Sequence, residues 1–515
     1  MNLVTDPWIP VLTAEGKPAL ASLMQALTEG EHYRDLAVRP HERIALMRLL
    51  ICIAQAALDG PQDYYSREAE IAGLPAAANA YLVAHQDAFN LFDEQRPFLQ
   101  VSWAPLVSPS PRSAVSKMDC TLAANNNSTL FDHQGSRQEQ RVFSDPQLAL
   151  MLVTFQCFAQ GGGKSSSIWR KQPKNFTDGP CKPSSMLHTF VREASLQGSI
   201  CANVLTRETV KRQFGGVLEW GSPVWECPAK TADDPLATRS ATETYLGRLC
   251  PLARFVRLYS GQGHMLLESG LEYPKFAREP TATEVPDKDG KTRRLLSAGS
   301  KATWRELSAL TTHDKRELPG GALALDYVPL ERSYDVWVGA LVSNPKQAAE
   351  VVNLVESVLH VPAGMQTDLG RREYEAGVGE AERSAYRLQR AVEAYRSAVD
   401  AGWGPRLKFS KDKFTLRSNL HVRATHHFWT SIEVDRHLLI DRVRSINTDD
   451  LFRLQGIWRS HLNRNARDAY DLACGKETPR QIRAYAIGYA VLFPSPKASI
   501  PAPQPSPAVH EEEEA

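Results

Sequence analysis

The chain has 515 residues, 43% of them apolar and 23% charged, enough for two or three domains with a sizeable core. Its 60 lysines and arginines stand against 59 aspartates and glutamates, a net charge of +1. That excludes a histone-like or arm-type protein held to nucleic acid by bulk positive charge, though not one whose charge is local.

Met1–Trp8 has no basic region, apolar core or small-residue cleavage site, so no signal peptide is expected. The longest apolar windows, 44–57 and 148–159, fall short of the roughly 20 residues a membrane span needs. Eight cysteines occur at 52, 120, 157, 181, 201, 227, 250 and 474, none as Cys-x-x-Cys. Neither a disulfide framework nor a zinc knuckle is expected, and Cys52 and Cys157 read as core residues. The expectation is a reduced, cytoplasmic protein with no cofactor or metal and no membrane partner.

In chain order, Pro40-His41-Glu42-Arg43 opens a helix in which Ile44, Met47, Leu50, Ile51 and Ala54 share a face, stopping at Asp59-Gly60. Residues 104–143 are irregular. Ser144-Asp145-Pro146 starts a second helix, a cap followed by proline. Gly161-Gly162-Gly163 opens a loop to about 185, and short strands alternate with turns from about 250 to 345. Ala381, Ala385, Leu388, Val392, Tyr395 and Val399 then step by three and four, one amphipathic stripe. Further helices are predicted near 418–433, 448–470 and 479–492. The fold class is α+β: a mixed body over 1–375, a four-helix bundle over 376–493, and a disordered Pro-rich acidic tail over 494–515.

Gly163-Lys164-Ser165 is not a phosphate-binding Walker loop, because the required earlier glycine is Phe158. Three consecutive glycines still let backbone approach a ligand closely. Lys164, Arg170, Lys171 and Lys174 follow without an acidic residue, a pattern suited to a nucleic-acid backbone. Arg453, Arg459, Arg464 and Arg467 form a second acid-free run, and Arg406–Arg417 is a third basic stretch. Such runs are either solvated helix faces or phosphate contacts. Asp132-His133 and His426-His427 have no partners at metal-ligand spacing, and no nucleophile elbow is present, so no active site assembles.

The opening Asn2-Leu3-x-x-Asp6-x-Trp8-Ile9-Pro10-Val11 resembles the start of the CasA family, the large subunit of the type I-E CRISPR Cascade surveillance complex. In order, Arg96-Pro97-Phe98-Leu99-Gln100 resembles a family strand, Gly161–Gly163 its glycine loop, and Thr189-Phe190-Val191-Arg192 the segment after it. Asn203-Val204-Leu205-Thr206, Trp304-Arg305-Glu306-Leu307 and a closing bundle with Phe428-Trp429 also agree, so the similarity runs over about 1–493.

The resemblance implies a non-catalytic subunit. It would recognise the protospacer-adjacent motif (PAM) on double-stranded DNA, promote duplex opening and R-loop formation by the CRISPR RNA, and recruit the nuclease-helicase. The implied partners are the backbone, RNA 5′-end-capping and small Cascade subunits, the CRISPR RNA, target DNA and that nuclease-helicase. Gly161, Gly162 and Gly163 would enter the minor groove, whose degenerate readout tolerates several motifs. Gln347 would be the wedge, with Lys346 beside it. The loop contacting the PAM region and the RNA end maps to Asn127, Leu130, Phe131 and Asp132; aspartate replaces the family's asparagine and loses two donors. A minor-groove lysine maps near Gly261-Gln262-Gly263-His264, leaving His264 or Lys275 for that place. Lys164, Arg170, Lys171, Arg459 and Arg464 are the candidate phosphate contacts. The alternatives are a helical scaffold without DNA readout, or an unrelated cytosolic enzyme.

Overall fold

The computed structural model describes residues 1–121, 141–274, 279–286, 292–294, 301–311, 323–344, 347–403 and 420–494. The chain divides into two compact units, Met1–Arg371 and Arg372–Ala515. The first mixes helices with small antiparallel sheets and the second is helical, which makes the protein α+β.

The first unit is built around the helix Pro40–Ala57. Proline sits at its start, and the Arg39 N–H donates to Glu42 Oε2 at 2.8 Å, satisfying one of the end groups a helix leaves open. Almost its whole length is buried, so it is apolar on every face and not on a stripe alone. Arg48 is fully buried within it. Its guanidinium donates to Leu249 O (3.0 Å) and Thr281 Oγ1 (2.8 Å) and pairs with Glu279, which also takes Arg248 at 2.9 Å. A buried carboxylate between two arginines is tolerated because all three groups are paired. The helix Asp145–Phe158 packs beside it.

Among its described residues the same unit holds three three-stranded antiparallel sheets and a two-stranded pair, Glu284–Pro286 with Thr292–Arg294. One runs Pro18–Ala21, Ile9–Thr13, Tyr33–Leu36; another Gln347–Val361, Tyr334–Asn344, His188–Arg192; a third Ser113–Ala114, His264–Ser269, Arg254–Arg257. The second contains the longest hairpin, in register from Tyr334↔Val361 to Asn344↔Gln347 with shifts on either side of Ser343.

Several family-like segments turn out to be local braces. The Asn2 N–H donates to Asp6 Oδ2 (2.9 Å), Asn2 Oδ1 accepts from the Val4 N–H, and buried Trp8 Nε1 donates to Leu3 O (3.1 Å). Asn203 bonds both backbone groups of Val191, accepting at 3.0 Å and donating at 2.7 Å, and so fixes the edge of the strand His188–Arg192. The segment Arg96–Gln100 is a turn and not the expected strand. Leu99 has φ +50, and Gln100 does with its side chain what a strand does with backbone, donating to Leu91 O and accepting from Leu258 N–H. All eight cysteines are free thiols, and Cys52 and Cys157 are buried. Among the described residues no helix is long and apolar enough to cross a membrane.

Among its described residues the helical unit holds four long helices, Asp368–Ala401 (which begins just inside the first unit), Leu420–Val434, Asp450–Ala473 and Pro479–Leu492, with a short one, His437–Arg444. The amphipathic stripe is its core: Ala381, Leu388, Val392 and Tyr395 are buried, with Phe428, Ile432, Leu439, Trp458, Leu462 and Tyr470. Trp458 Nε1 donates to Gly377 O at 3.0 Å, giving the indole a polar anchor inside that core. The tail after Pro494, like the whole of Arg406–Arg417, lies outside the described residues.

Candidate nucleic-acid interface

The glycine loop begins where the helix Asp145–Phe158 ends, as Ala159 turns to extended backbone. Gly161 N–H donates to Asp178 Oδ1 (2.8 Å), Gly162 N–H to Phe176 O (2.9 Å), and Phe176 N–H to Gly163 O (3.3 Å). Lys164 pairs with Asn175, and both N–H and Oγ of Ser165 donate to Lys174 O. The loop is therefore an irregular hairpin whose return strand is 174–178. Gly161 is required by contact, since a Cβ there would lie 2.9 Å from the Asp178 nitrogen. Gly162 and Gly163 are required by conformation: φ is +101 and +68, and a Cβ on either would meet only open space. Both are exposed.

The hairpin is held from beneath by groups the sequence reading did not single out. Arg254 is 1% exposed and donates to Gln160 O (2.8 Å) and Thr177 O (2.6 Å), one carbonyl on each side of the glycines. Burial pulls its guanidinium down to about 10, partly offset by the Asp178 charge. Asp178 also pairs with Lys182 at 3.2 Å. A signal was present: an arginine inside the apolar run Ala253-Arg254-Phe255-Val256 and a glutamate closing Met265-Leu266-Leu267-Glu268.

Arg170 corrects the expectation of a phosphate contact. It is 6% exposed, and its guanidinium pairs with fully buried Glu268 (3.2 Å), bonds Ala232 O (2.9 Å) and lies over the Phe255 ring. Glu268 also accepts from the Ile168 and Trp169 N–H groups at 3.1 and 2.7 Å. Arg170 thus roots the loop. Lys164, Lys171 and Lys174 are exposed, and among the described residues only Lys174 has an acid within 4.0 Å, Glu272 at 3.9 Å.

Gln347 begins the return strand of the longest hairpin, opposite Asn344. Lys346 lies outside the described residues, as do Lys275, Asn127, Leu130, Phe131, Asp132 and His133. One bond relates this hairpin end to the glycine loop: Ser343 N–H donates to Ser185 Oγ (2.9 Å) in the 3-10 turn Pro183–Ser185. The short stretch Asp178–Ser185 thereby holds Gly161 at one end and the hairpin at the other. His264 is half-buried on the strand His264–Ser269, its ring 5.9 Å from that of Tyr259, while Gly261 and Gln262 are exposed in the turn before it.

In the helical unit Arg459 and Arg464 are 60% and 59% exposed. Their run is acid-free in sequence but not in the fold: Arg453 pairs with Asp450 at 3.0 Å one turn earlier on the same helix, Arg459 with Glu380 at 3.0 Å, and Arg464 lies 4.0 Å from Asp435. His426 is exposed and His427 half-buried.

The sequence model of the family described as CRISPR-associated protein Cse1 matches residues 2–469. The chain belongs to this family. It is the family of the large subunit of type I-E Cascade, which the ordered segments resembled. CRISPR-associated protein CasA/Cse1 of Thermus thermophilus is 26% identical over 522 residues, covering 92% of this chain and 96% of that one. The fold is similar to the solved structure of Thermus thermophilus CasA (Cse1), with TM-score 0.73 and 21% identity over 96% of this chain and 98% of that one. Thermobifida fusca Cse1 gives TM-score 0.74 at 18% identity, over 96% and 98% of the two chains. A chain of a CRISPR RNA-guided surveillance complex gives 0.73 at 17%, over 96% and 99%.

Proposed function

We propose that this Cse1-family chain is the non-catalytic PAM reader of a type I-E Cascade complex, acting on double-stranded DNA beside the other subunits and the CRISPR RNA. The observation that carries the reading is the loop Gly161–Gly163: without side chains, exposed at Gly162 and Gly163, and braced at both sides by Asp178 and Arg254. A minor groove about 6 Å wide admits bare backbone where it would exclude a bulky side chain. Rigidity matters equally, because a loop ordered before binding loses little entropy on contact.

Lys164, Lys171 and Lys174 flank the glycines and would engage phosphates, supplying affinity without sequence information. Gln347, at an end of the neighbouring hairpin, would be the wedge under the first separated base pair, with Lys346 at a phosphate. Asn127, Leu130, Phe131 and Asp132 would meet the PAM region and RNA end, and Lys275 the minor groove. The protein then reads a short motif while base pairing reads the rest, a division known from RNA-guided systems. Duplex opening and recruitment of the nuclease-helicase would follow from that docking. The partner subunits and RNA are supported by likeness to a chain of a CRISPR RNA-guided surveillance complex.

The test is a gel-shift with the reconstituted complex, with and without this chain, on matched targets carrying a fixed or randomised flanking motif. Motif-dependent binding that requires the chain, and that weakens with Gly162→Asp or Gln347→Ala, is expected. Equal binding without the chain, indifferent to the motif, would leave a scaffold role instead.

A further inference from the structure

We propose that His41, Asp119 and Cys120 form a binding site for one divalent metal ion of the zinc class. One donor atom from each residue lies within 4.8 Å of the other two, a nitrogen, a carboxylate oxygen and a thiol. Zinc is bound by this mixture of ligands, commonly with three protein donors and a water in the fourth position. Among the described residues no other group of three such side chains comes together.

A second observation points the same way. His41 is 1% exposed, and among the described residues its Nδ1 has no hydrogen-bond partner. Packing explains only part of the ring, which meets Phe158 edge-on at 6.1 Å. A nitrogen buried without a partner is costly, and a metal ion would satisfy it.

The surroundings orient the carboxylate. Arg39 Nη2 donates to Asp119 Oδ2 at 2.8 Å, while the N–H and Oγ1 of Thr121 both donate to Oδ1, at 2.9 and 2.6 Å. An ionised carboxylate has about four acceptor positions, so three are filled and one is left. Ligating carboxylates are ordinarily held by such outer hydrogen bonds. Charge also closes: Arg39 (+1), Glu42 (−1) and Asp119 (−1) sum to −1, Lys182 near Cys120 is cancelled by Asp178 at 3.2 Å, a Cys120 thiolate makes −2, and one divalent ion balances it. Arg39, Glu42, Asp119 and Thr121 line a cavity of about 520 Å³, which reaches the cluster at its carboxylate. Such an ion would tie the start of the helix Pro40–Ala57 to the segment that leads into residue 122. The expectation of no metal rests on the lack of paired cysteines, whereas these ligands are separated by most of eighty residues and only the fold joins them.

The experiment uses the full chain, desalted after expression with added zinc, and measures metal by mass spectrometry. About one zinc per chain is expected. After stripping with a chelator, Co²⁺ should restore a thiolate-to-cobalt absorption band. That band should vanish in Cys120→Ser, and cobalt affinity should fall by about tenfold or more in His41→Gln. Cys474→Ser, in the helical unit, should keep the band. A wild-type chain that retains only traces of zinc and shows no band overturns the proposal whether or not the variants fold. A band that persists undiminished in Cys120→Ser overturns it equally.

Discussion

The basic stretch after the glycine loop and the basic run along the helix Asp450–Ala473 look alike in sequence, since neither contains an acidic residue. In the fold they diverge. Arg170 is drawn inside against Glu268 and three backbone carbonyls, whereas Arg459 stands in solvent beside Glu380. Both arginines have carboxylate partners, so pairing does not distinguish them. Solvent does. A buried pair must be complete or it becomes a liability, while an exposed pair is nearly neutral because water competes for both partners. The same residue type therefore supports the loop in one region and decorates a helix in the other.

The largest effect is expected where that contrast is sharpest. Arg170→Leu would leave the Glu268 carboxylate buried with only two backbone N–H donors, and should lower stability by about 3–5 kcal/mol in urea unfolding. Adding Glu268→Gln should recover part of the loss, because the amide oxygen still accepts from Ile168 and Trp169. A loss in Arg170→Leu below about 1 kcal/mol, the range of exposed pairs, would erase the distinction.

Gly162 comes next. With φ +101 and open space around a built Cβ, Gly162→Ala meets no clash and pays only for a left-handed backbone, about 1–2 kcal/mol of local strain. Gly162→Asp adds a negative charge at the exposed tip. It should weaken motif-dependent DNA binding by about tenfold or more, equivalent to about 1.4 kcal/mol, with circular dichroism unchanged. An unaltered gel-shift would mean that the tip does not touch DNA.

The triple change Lys164→Ala, Lys171→Ala and Lys174→Ala separates the exposed charges of the loop from its buried ones. Each lysine on a phosphate contributes about 0.9 to the slope of log affinity against log salt, so the triple variant should flatten it by about 2 to 3. Stability should hold, since these ammonium groups are exposed. A slope unchanged within error would reduce the three lysines to solubilising surface.

What the sequence disclosed follows from range. Helices are local patterns, so Pro40–Ala57, Asp145–Phe158 and the stripe from Ala381 to Val399 were legible from apolar spacing and caps. The glycine loop was legible because three glycines are their own signal. Its foundation was not: Arg254 reaches Gln160 and Thr177 from strands distant in the chain, and Arg170 finds Glu268 almost a hundred residues away. The turn at Leu99 defeated a strand reading because Phe98-Leu99-Gln100 has strand composition, and only the Gln100 side-chain bonds reveal that the backbone has left the ladder. The arginine runs misled for the complementary reason that partners on other segments are invisible along one segment.

The smallest effect should come from Arg459→Ala. Glu380 would not be stranded, because fully buried Arg442 already donates to its other oxygen at 3.0 Å while holding Glu373. Removing Arg459 takes away one exposed cation and leaves a paired carboxylate, so stability should change by no more than about 0.5 kcal/mol. Removing Arg442 is the reverse case: two carboxylates lose a cation that is 1% exposed, at a cost of about 3–5 kcal/mol. The null result in stability gives Arg459→Ala its use. With the fold intact, any flattening of the salt dependence of DNA binding, about 0.9 for one phosphate, reports contact between this helix and nucleic acid and nothing else.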